Sequence, residues 1–246
     1  MLYNNYMDRY LIAIGGGELK TKETLPIDKF IADLAKKRAG ERRANALFIG
    51  TASHDSMPYY NTFHKTYTGE FGLKTDCVLS VYGEMDDEKI RSKFLKADMI
   101  YVGGGDTVYM LDLWRKKGID KLVLDSYENG VIICGLSAGA ICWFEDMYTD
   151  SALVDKIGNY DYAKGLGLLP GCASPHFDER REEVFNNPAT IVRLPIYGIE
   201  NLSAIVFKNE KLMGSVSAGK DSYQLVANNG KISENIIKPI DLSVFL

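Results

Sequence analysis

The chain has 246 residues, with hydrophobic side chains at 46% of its positions and a formal net charge of -4 at pH 7. This length and apolar content allow one compact domain, residues 1–246, with a sizeable buried core. The mildly acidic balance gives no electrostatic basis for binding nucleic acid, and no apolar run approaches the roughly 18–20 residues that span a bilayer.

Apolar runs alternate with amphipathic stretches over the first half of the chain. We predict helices from about 24 to 39, 57 to 71 and 86 to 96, with another after 107. The apolar runs predict strands over Tyr10–Ile14, Ala46–Ile49, Thr75–Val81, Met99–Val102 and Val131–Cys134. This alternation indicates an α/β fold, with a mostly parallel sheet and helices on both of its faces.

The sequence pattern changes after about Ile196, where short apolar runs are separated by turn signals such as Asn228-Asn229-Gly230. These runs predict antiparallel hairpins appended to the sheet. The four strands are expected over Ala204–Phe207, Leu212–Val216, Tyr223–Val226 and Ile232–Ile237. The edge strands of such hairpins could support a homodimer.

Glycine segments and polar residues follow several of the predicted strands. Gly15–Gly17 follows the first strand, Gly103–Gly105 follows the fourth, and Ser137 follows the fifth. Because ligands of open α/β sheets bind beyond the carboxyl ends of the strands, we expect the functional site at this edge.

The segment Gly135-Leu136-Ser137-Ala138-Gly139 has the pattern G-x-S-x-G. This pattern is typical of a nucleophile elbow, a sharp strand-to-helix turn that presents a serine hydroxyl at a strand end. Glycines are needed because the turn brings backbone so close that a Cβ would clash. A plain junction with a capping serine has the same pattern, so a catalytic serine needs support from partner residues.

A catalytic serine requires a base within hydrogen-bonding distance. His176 lies after the elbow, in a loop that precedes a predicted helix, and we favour it as the base. His54 follows the second strand and is an alternative base or a substrate contact. His64 lies within a predicted helix, as a surface or core-edge residue.

The base in turn requires a group that orients it. Glu200 closes the segment Pro195–Glu200 at another predicted strand end. Asp146, Asp150 and Asp161 lie between the serine and the histidine and remain alternatives.

Four segments together resemble the serine peptidase family of dipeptidase E and cyanophycinase. They occur in the order of that family and span most of the chain: Tyr101–Thr107, Gly135–Ala140, Ser174–Phe177 and Gly198–Glu200. The resemblance implies a flavodoxin-like fold similar to class I glutamine amidotransferases, with serine at the elbow in place of cysteine. It further implies acyl transfer through a serine acyl-enzyme, with no metal or cofactor.

The resemblance also implies roles for individual residues. Ser137 would be the nucleophile, His176 the base and Glu200 the orienting acid. The backbone N–H groups of Gly105 (or Gly104) and Ala138 would form the oxyanion hole.

Further residues are expected near the substrate. They are Gly104, Asp106, Thr107, His54 and Arg180. At position 106 the family commonly has asparagine, whereas this chain has aspartate.

The resemblance implies a small peptide as substrate. Members similar to dipeptidase E release N-terminal aspartyl residues, and cyanophycinase-like members cleave β-aspartyl-arginine peptides. Arg180 looks like an arginine of the cyanophycinase-like members. It would bind a substrate carboxylate or form a surface ion pair with Glu182 or Glu183, and we favour the ion pair slightly.

Two other functions remain open on the same fold. One is a ligand-binding homologue without catalysis, and the other is a glutamine amidotransferase-like amidase that uses Ser137. Residues 214–221 imitate a phosphate-binding loop, but Asp221 stands where that motif has Ser or Thr, so we expect no nucleotide there.

Cysteine usage and the first residues favour a cytoplasmic protein. The four cysteines form no C-x-x-C pair, so neither a disulfide framework nor a zinc site is expected. The first ten residues are polar and carry Asp8 and Arg9, unlike the apolar stretch of a signal peptide.

Overall fold

The computed structural model describes residues 7–82, 85–151, 160–228 and 231–245. The strands are β1 (Tyr10–Ile14), β2 (Asn45–Ile49), β3 (Lys74–Val78), β4 (Met99–Val102), β5 (Ile132–Leu136), β6 (Phe144–Thr149), β7 (Asp161–Lys164), β8 (Leu169–Ser174), β9 (Ile196–Ile199), β10 (Ser203–Lys208), β11 (Lys211–Ser217), β12 (Ser222–Asn228) and β13 (Lys231–Ile236). The α-helices are α1 (Leu25–Ala39), α2 (Met57–His64), α3 (Asp87–Lys96), α4 (Thr107–Lys117), α5 (Ile119–Glu128), α6 (Ala138–Ile141), α7 (Phe177–Asn186) and α8 (Leu242–Phe245). A π-helix, Lys65–Glu70, continues α2, and 3-10 helices cover Thr51–Ser53 and Pro188–Arg193.

Seven strands form the first sheet, in the order β11-β10-β1-β5-β4-β2-β3. Strands β1 to β5 pair in parallel, and β10 and β11 extend the β1 edge in antiparallel fashion. Along β1, the side chains of Leu11 and Ala13 pack in the apolar core on one face of the sheet, and those of Ile12 and Ile14 pack in the core on the other face. Because both faces of the strand are covered, its sequence is apolar throughout. The predicted α/β class with a mostly parallel sheet is confirmed.

A second sheet has six strands, in the order β13-β12-β9-β8-β6-β7. Its centre is parallel, since β6 pairs with β8 and β8 with β9, while its outer strands pair antiparallel. This sheet was not predicted from the sequence. Both C-terminal hairpins were expected on one sheet, whereas β10–β11 extends the first sheet and β12–β13 extends the second.

Helix starts and stops follow local chemistry. Asp86 precedes α3 and accepts the backbone N–H of Lys89 at 2.7 Å, which caps that helix. Asp106 caps α4 in the same way through the N–H of Tyr109 at 3.0 Å. Gly118, in a left-handed conformation, separates α4 from α5, a helix that the sequence analysis did not predict.

The arrangement of the parallel strands positions the candidate site. Strand β5 lies between β1 and β4, so the segments that follow these three strands meet at one edge of the sheet. The segment after β1 begins at Gly15, the segment after β4 at Gly103, and the segment after β5 at Ser137. Among the helices that the structure describes, none is long and apolar enough to cross a membrane.

Candidate active site

Ser137 occupies a strained turn between β5 and α6. Its φ of 54° and ψ of -107° are rarely adopted by a residue with a side chain, and such strain is concentrated at functional sites. Glycine is required at the two flanking positions because a side chain there would clash with backbone. A Cβ on Gly135 would lie 2.2 Å from the carbonyl oxygen of Gly139. A Cβ on Gly139 would lie 2.1 Å from the carbonyl oxygen of Val102. The G-x-S-x-G pattern therefore has the close-packed geometry of an elbow.

His176 lies 39 positions after Ser137 in the chain, and its side chain reaches the serine directly. The distance between His176 Nε2 and Ser137 Oγ is 2.9 Å. His176 precedes α7 in a left-handed conformation, with φ 49° and ψ 41°, and its backbone N–H donates to the carbonyl of Gly15 at 3.1 Å. The distance lies within the range for proton transfer between a nucleophile and its base.

The other nitrogen of the imidazole contacts Asn201, not Glu200. His176 Nδ1 lies 2.7 Å from Asn201 Oδ1. Glu200 accepts hydrogen bonds from Arg181 at 3.0 Å and from the backbone N–H of Asp221 at 3.2 Å, away from the imidazole. The structure thus places the residue after Glu200 in the position that the sequence analysis gave to Glu200.

The segment Gly15–Gly17 packs on the histidine and the asparagine. A Cβ on Gly16 would lie 2.0 Å from Asn201 Oδ1 and 2.5 Å from His176 Nδ1. The carbonyl of Gly16 accepts the backbone N–H of Leu202 at 3.1 Å, next to Asn201. The absence of a side chain at Gly16 therefore makes room for the hydrogen-bonded pair.

The donors expected for the oxyanion hole are the backbone N–H groups of Gly105 and Ala138. Neither donates a hydrogen bond to any residue within the described ranges. The N–H of Gly104, which was the alternative donor, faces the hydroxyl of Tyr59 at 3.3 Å. Position 105 requires glycine, since the φ of Gly105 is 137° and a Cβ there would lie 2.2 Å from the carbonyl oxygen of Ala52.

A cavity of about 900 Å³ opens at Ser137. His176, Asn201, Gly104, Gly105 and Arg180 also line it. Three residues expected near the substrate lie outside this lining: His54 packs against Tyr109 with ring centroids 4.4 Å apart, Asp106 caps α4, and Thr107 is buried.

Arg180 is not the surface residue that the sequence analysis favoured, so that prediction is wrong. It is 4% exposed, and its Nη2 lies 3.1 Å from Asp150 Oδ2 instead of pairing with Glu182 or Glu183. Its guanidinium lies 4.6 Å from the ring centroid of Tyr160, a cation–π distance. The side chain leaves α7 on the face that packs toward the cavity, which the spacing alone did not reveal.

Charged side chains of both signs line the cavity. Arg180 is buried, whereas Lys20, Lys220, Glu18, Glu23 and Glu179 are exposed. Within the part of the chain that the structure describes, no group of three or more His, Cys, Asp or Glu side chains is arranged to hold a metal ion.

Comparisons with known proteins agree on one family. Residues 11–214 match the model of peptidase family S51. The uncharacterized peptidase YgaJ of Bacillus subtilis (strain 168) is 32% identical over 235 residues, which cover 92% of this chain and 96% of YgaJ.

Two solved structures share the fold. The crystal structure of a peptidase from an acI-B1 Actinobacterium has a TM-score of 0.68 and 17% identity, over 96% of this chain and 97% of that one. A putative peptidase E protein from Listeria monocytogenes EGD-e has a TM-score of 0.58 and 21% identity, over 85% of this chain and 98% of that one.

Proposed function

The chain belongs to peptidase family S51, and we propose that it is a serine peptidase with Ser137 as nucleophile and His176 as general base. The observation that carries the proposal is the 2.9 Å contact between His176 Nε2 and Ser137 Oγ, at a strained turn that opens into a cavity. A serine hydroxyl is a weak nucleophile until a base takes its proton, and this contact supplies the base.

The proposed reaction has two halves. His176 Nε2 accepts the hydroxyl proton while Ser137 Oγ attacks the peptide carbonyl carbon, and the carbonyl oxygen becomes an oxyanion. The imidazolium then protonates the leaving amine as the C–N bond breaks, which leaves an acyl ester on Ser137. A water molecule, deprotonated by the same imidazole, hydrolyses this ester and restores the hydroxyl.

The oxyanion would be received by the N–H groups of Gly105 and Ala138. Both groups lack another acceptor among the described residues, so no existing hydrogen bond has to break when the oxyanion forms. Loss of one such donor typically costs on the order of 3 kcal/mol of barrier.

We propose short peptides with an aspartyl or β-aspartyl residue as substrates. Arg180 supports this, because its guanidinium lines the cavity and already pairs there with a carboxylate, that of Asp150 at 3.1 Å, which a substrate carboxylate can replace. Its Nε is buried without a hydrogen-bond partner among the described residues, which leaves donor capacity for a ligand.

Release of single N-terminal residues is also part of the proposal. An N-terminal aspartyl residue carries an ammonium group besides its carboxylate. The exposed carboxylates of Glu18, Glu23 and Glu179 line the same cavity as Arg180, together with the ammonium groups of Lys20 and Lys220, so the lining offers a charge opposite to each group of such a substrate. The four cysteines are unpaired, three of them buried, which fits the reducing cytoplasm that we propose as its location.

A panel of matched dipeptides tests the function. Hydrolysis of aspartyl, β-aspartyl, asparaginyl and alanyl dipeptides would be measured for the wild type, Ser137→Ala and Arg180→Gln. We expect the wild type to prefer aspartyl or β-aspartyl over asparaginyl peptides, and Ser137→Ala to be inactive with an unchanged thermal unfolding midpoint. Arg180→Gln should reduce the preference for a carboxylate by about 10- to 100-fold.

The outcomes separate the competing functions. Full activity in Ser137→Ala contradicts the assignment of the nucleophile. If no peptide is cleaved by the wild type, the chain is a ligand-binding homologue. Ammonia released from glutamine in place of peptide cleavage would identify an amidase.

A further inference from the structure

The contacts of Asn201 show which way its side-chain amide faces. Asn201 Nδ2 lies 2.7 Å from Glu179 Oε1 and 3.2 Å from both carboxylate oxygens of Asp178. Ionised carboxylates only accept hydrogen bonds, so the NH₂ group must face them. Asn201 Oδ1 is thereby turned toward His176.

This orientation determines the tautomer of His176. Asn201 Oδ1 can only accept, so His176 Nδ1, 2.7 Å away, must carry the proton and donate it. In a neutral imidazole the other nitrogen is then an acceptor. His176 Nε2 is therefore free to take the proton of Ser137 Oγ.

Asp178 is held ionised in this arrangement. Burial raises the pKa of Asp178, but the backbone N–H of Asn201 and the Lys220 ammonium outweigh it, so the pKa lies below its ordinary range. The backbone N–H of Asn201 lies 3.0 Å and Lys220 Nζ 2.9 Å from its carboxylate oxygens. Asp178 thus keeps its acceptor character at neutral pH, which the orientation of Asn201 requires.

From these contacts we infer that Asn201 is the positioning residue that keeps His176 in the reactive tautomer, and that Asp178 and Glu179 lock its amide in place. The inference rests on the proposed function, since it names the third member of the proposed serine–histidine site. The negative charge then lies one hydrogen bond further from the imidazole than in a serine–histidine–carboxylate triad.

The two carboxylates also give a physical reason for an amide at this position. An aspartate or glutamate there would place a third negative charge within hydrogen-bonding distance of Asp178 and Glu179, and like charges at such distances disfavour ionisation. A neutral amide avoids that repulsion. It accepts from His176 with one end and donates to the carboxylates with the other.

Nitrogen-15 NMR of the histidine rings tests the inference without a substrate. The spectra distinguish a ring protonated at Nδ1 from one protonated at Nε2. His54 and His64 serve as internal references, and His176→Gln identifies the His176 signals. We expect the Nδ1–H tautomer for His176 in the wild type and its loss in Asn201→Leu.

Kinetics provide a second measurement. Loss of the correct tautomer in a serine protease costs about 10,000-fold, so we expect kcat of Asn201→Leu to fall by about 100- to 10,000-fold, with KM changed by less than about three-fold. Asn61→Leu, a change of an exposed asparagine on α2, is the matched control and should keep wild-type values. Asp178→Asn with Glu179→Gln, which removes the lock but keeps Asn201, should give a smaller loss of kcat and a mixture of tautomers.

The inference is overturned if wild-type His176 carries its proton on Nε2, or if Asn201→Leu leaves the Nδ1–H tautomer in place. A wild type that cleaves no peptide while His176 shows the expected tautomer would refute the proposed function alone. Activity abolished in Ser137→Ala but unaffected in Asn201→Leu would refute this inference alone.

Discussion

Replacing Gly16 by alanine is expected to displace His176 from Ser137 while leaving the fold intact. The new Cβ would lie 2.6 Å from His176 Cε1 and 2.0 Å from Asn201 Oδ1. Non-bonded carbons usually stay at least about 3.5 Å apart, so the imidazole has to retreat by about 1 Å. Gly16 has no left-handed backbone conformation, so the substitution acts through these contacts alone.

The expected loss follows from that displacement. A misplacement of 1 Å in a catalytic group can cost about 100-fold, so kcat/KM should fall by about this factor. The assay is hydrolysis of the best dipeptide of the panel, with thermal unfolding measured in parallel. Gly69→Ala is the matched control, because a Cβ there meets no atom within 4 Å, and it should keep wild-type activity.

Unchanged activity in Gly16→Ala would contradict this prediction. If Gly16→Ala keeps full activity and a wild-type unfolding midpoint, the position of His176 against Ser137 does not depend on the packing of this segment. A loss of activity matched in Gly69→Ala would equally remove the argument, since the control introduces no contact.

Three further predictions address buried groups and the neighbour of Asn201. Burial raises the pKa of Asp28 to about 6, from 3.8, so the folded state holds this proton more tightly than the unfolded chain and stability falls as pH rises from about 4 to 6. The unfolding free energy of Asp28→Asn relative to the wild type should therefore rise by about 2 kcal/mol between pH 4 and 8 in urea titrations, and no change over this range would contradict the raised pKa. Burial raises the pKa of Cys77, the one partly exposed thiol, so thiol reagents should modify it slowly without inhibiting hydrolysis; inactivation that substrate prevents would contradict a serine nucleophile. Glu200→Gln should retain kcat/KM within about three-fold and lose about 1 kcal/mol of stability, because Glu200 pairs with Arg181 at 3.0 Å; a loss as large as that of Ser137→Ala would restore Glu200 as the orienting acid.

The first sheet could be predicted from sequence because its central strands are buried on both faces. Continuous apolar runs such as Tyr10–Ile14 and Met99–Val102 match their strands to the residue. Two strands of the second sheet lack this signal: β7 is Asp-Tyr-Ala-Lys with no buried residue, and β8 contains both Pro170 and Gly171. Its existence depends on pairing between distant segments, which local patterns do not record.

The candidate site was predictable where it depends on local backbone, and not where it depends on side-chain direction. Ser137 and His176 sit in short motifs whose geometry is local. The choice between Glu200 and Asn201 is a matter of one position in the turn that follows β9, and a local sequence pattern does not record which of two neighbouring side chains faces the imidazole. The inward direction of Arg180 depends in the same way on which face of α7 packs against the cavity.

Ser137 and His176 are proposed to act as one catalytic unit, and a double-mutant cycle of kcat/KM measures their coupling. Ser137→Ala, His176→Ala and the double variant would be compared on the same dipeptide. Residues that act together are strongly non-additive, so we predict that each single variant loses about as much activity as the double variant. Losses that multiply, or a His176→Ala variant with near wild-type activity, would contradict the claim.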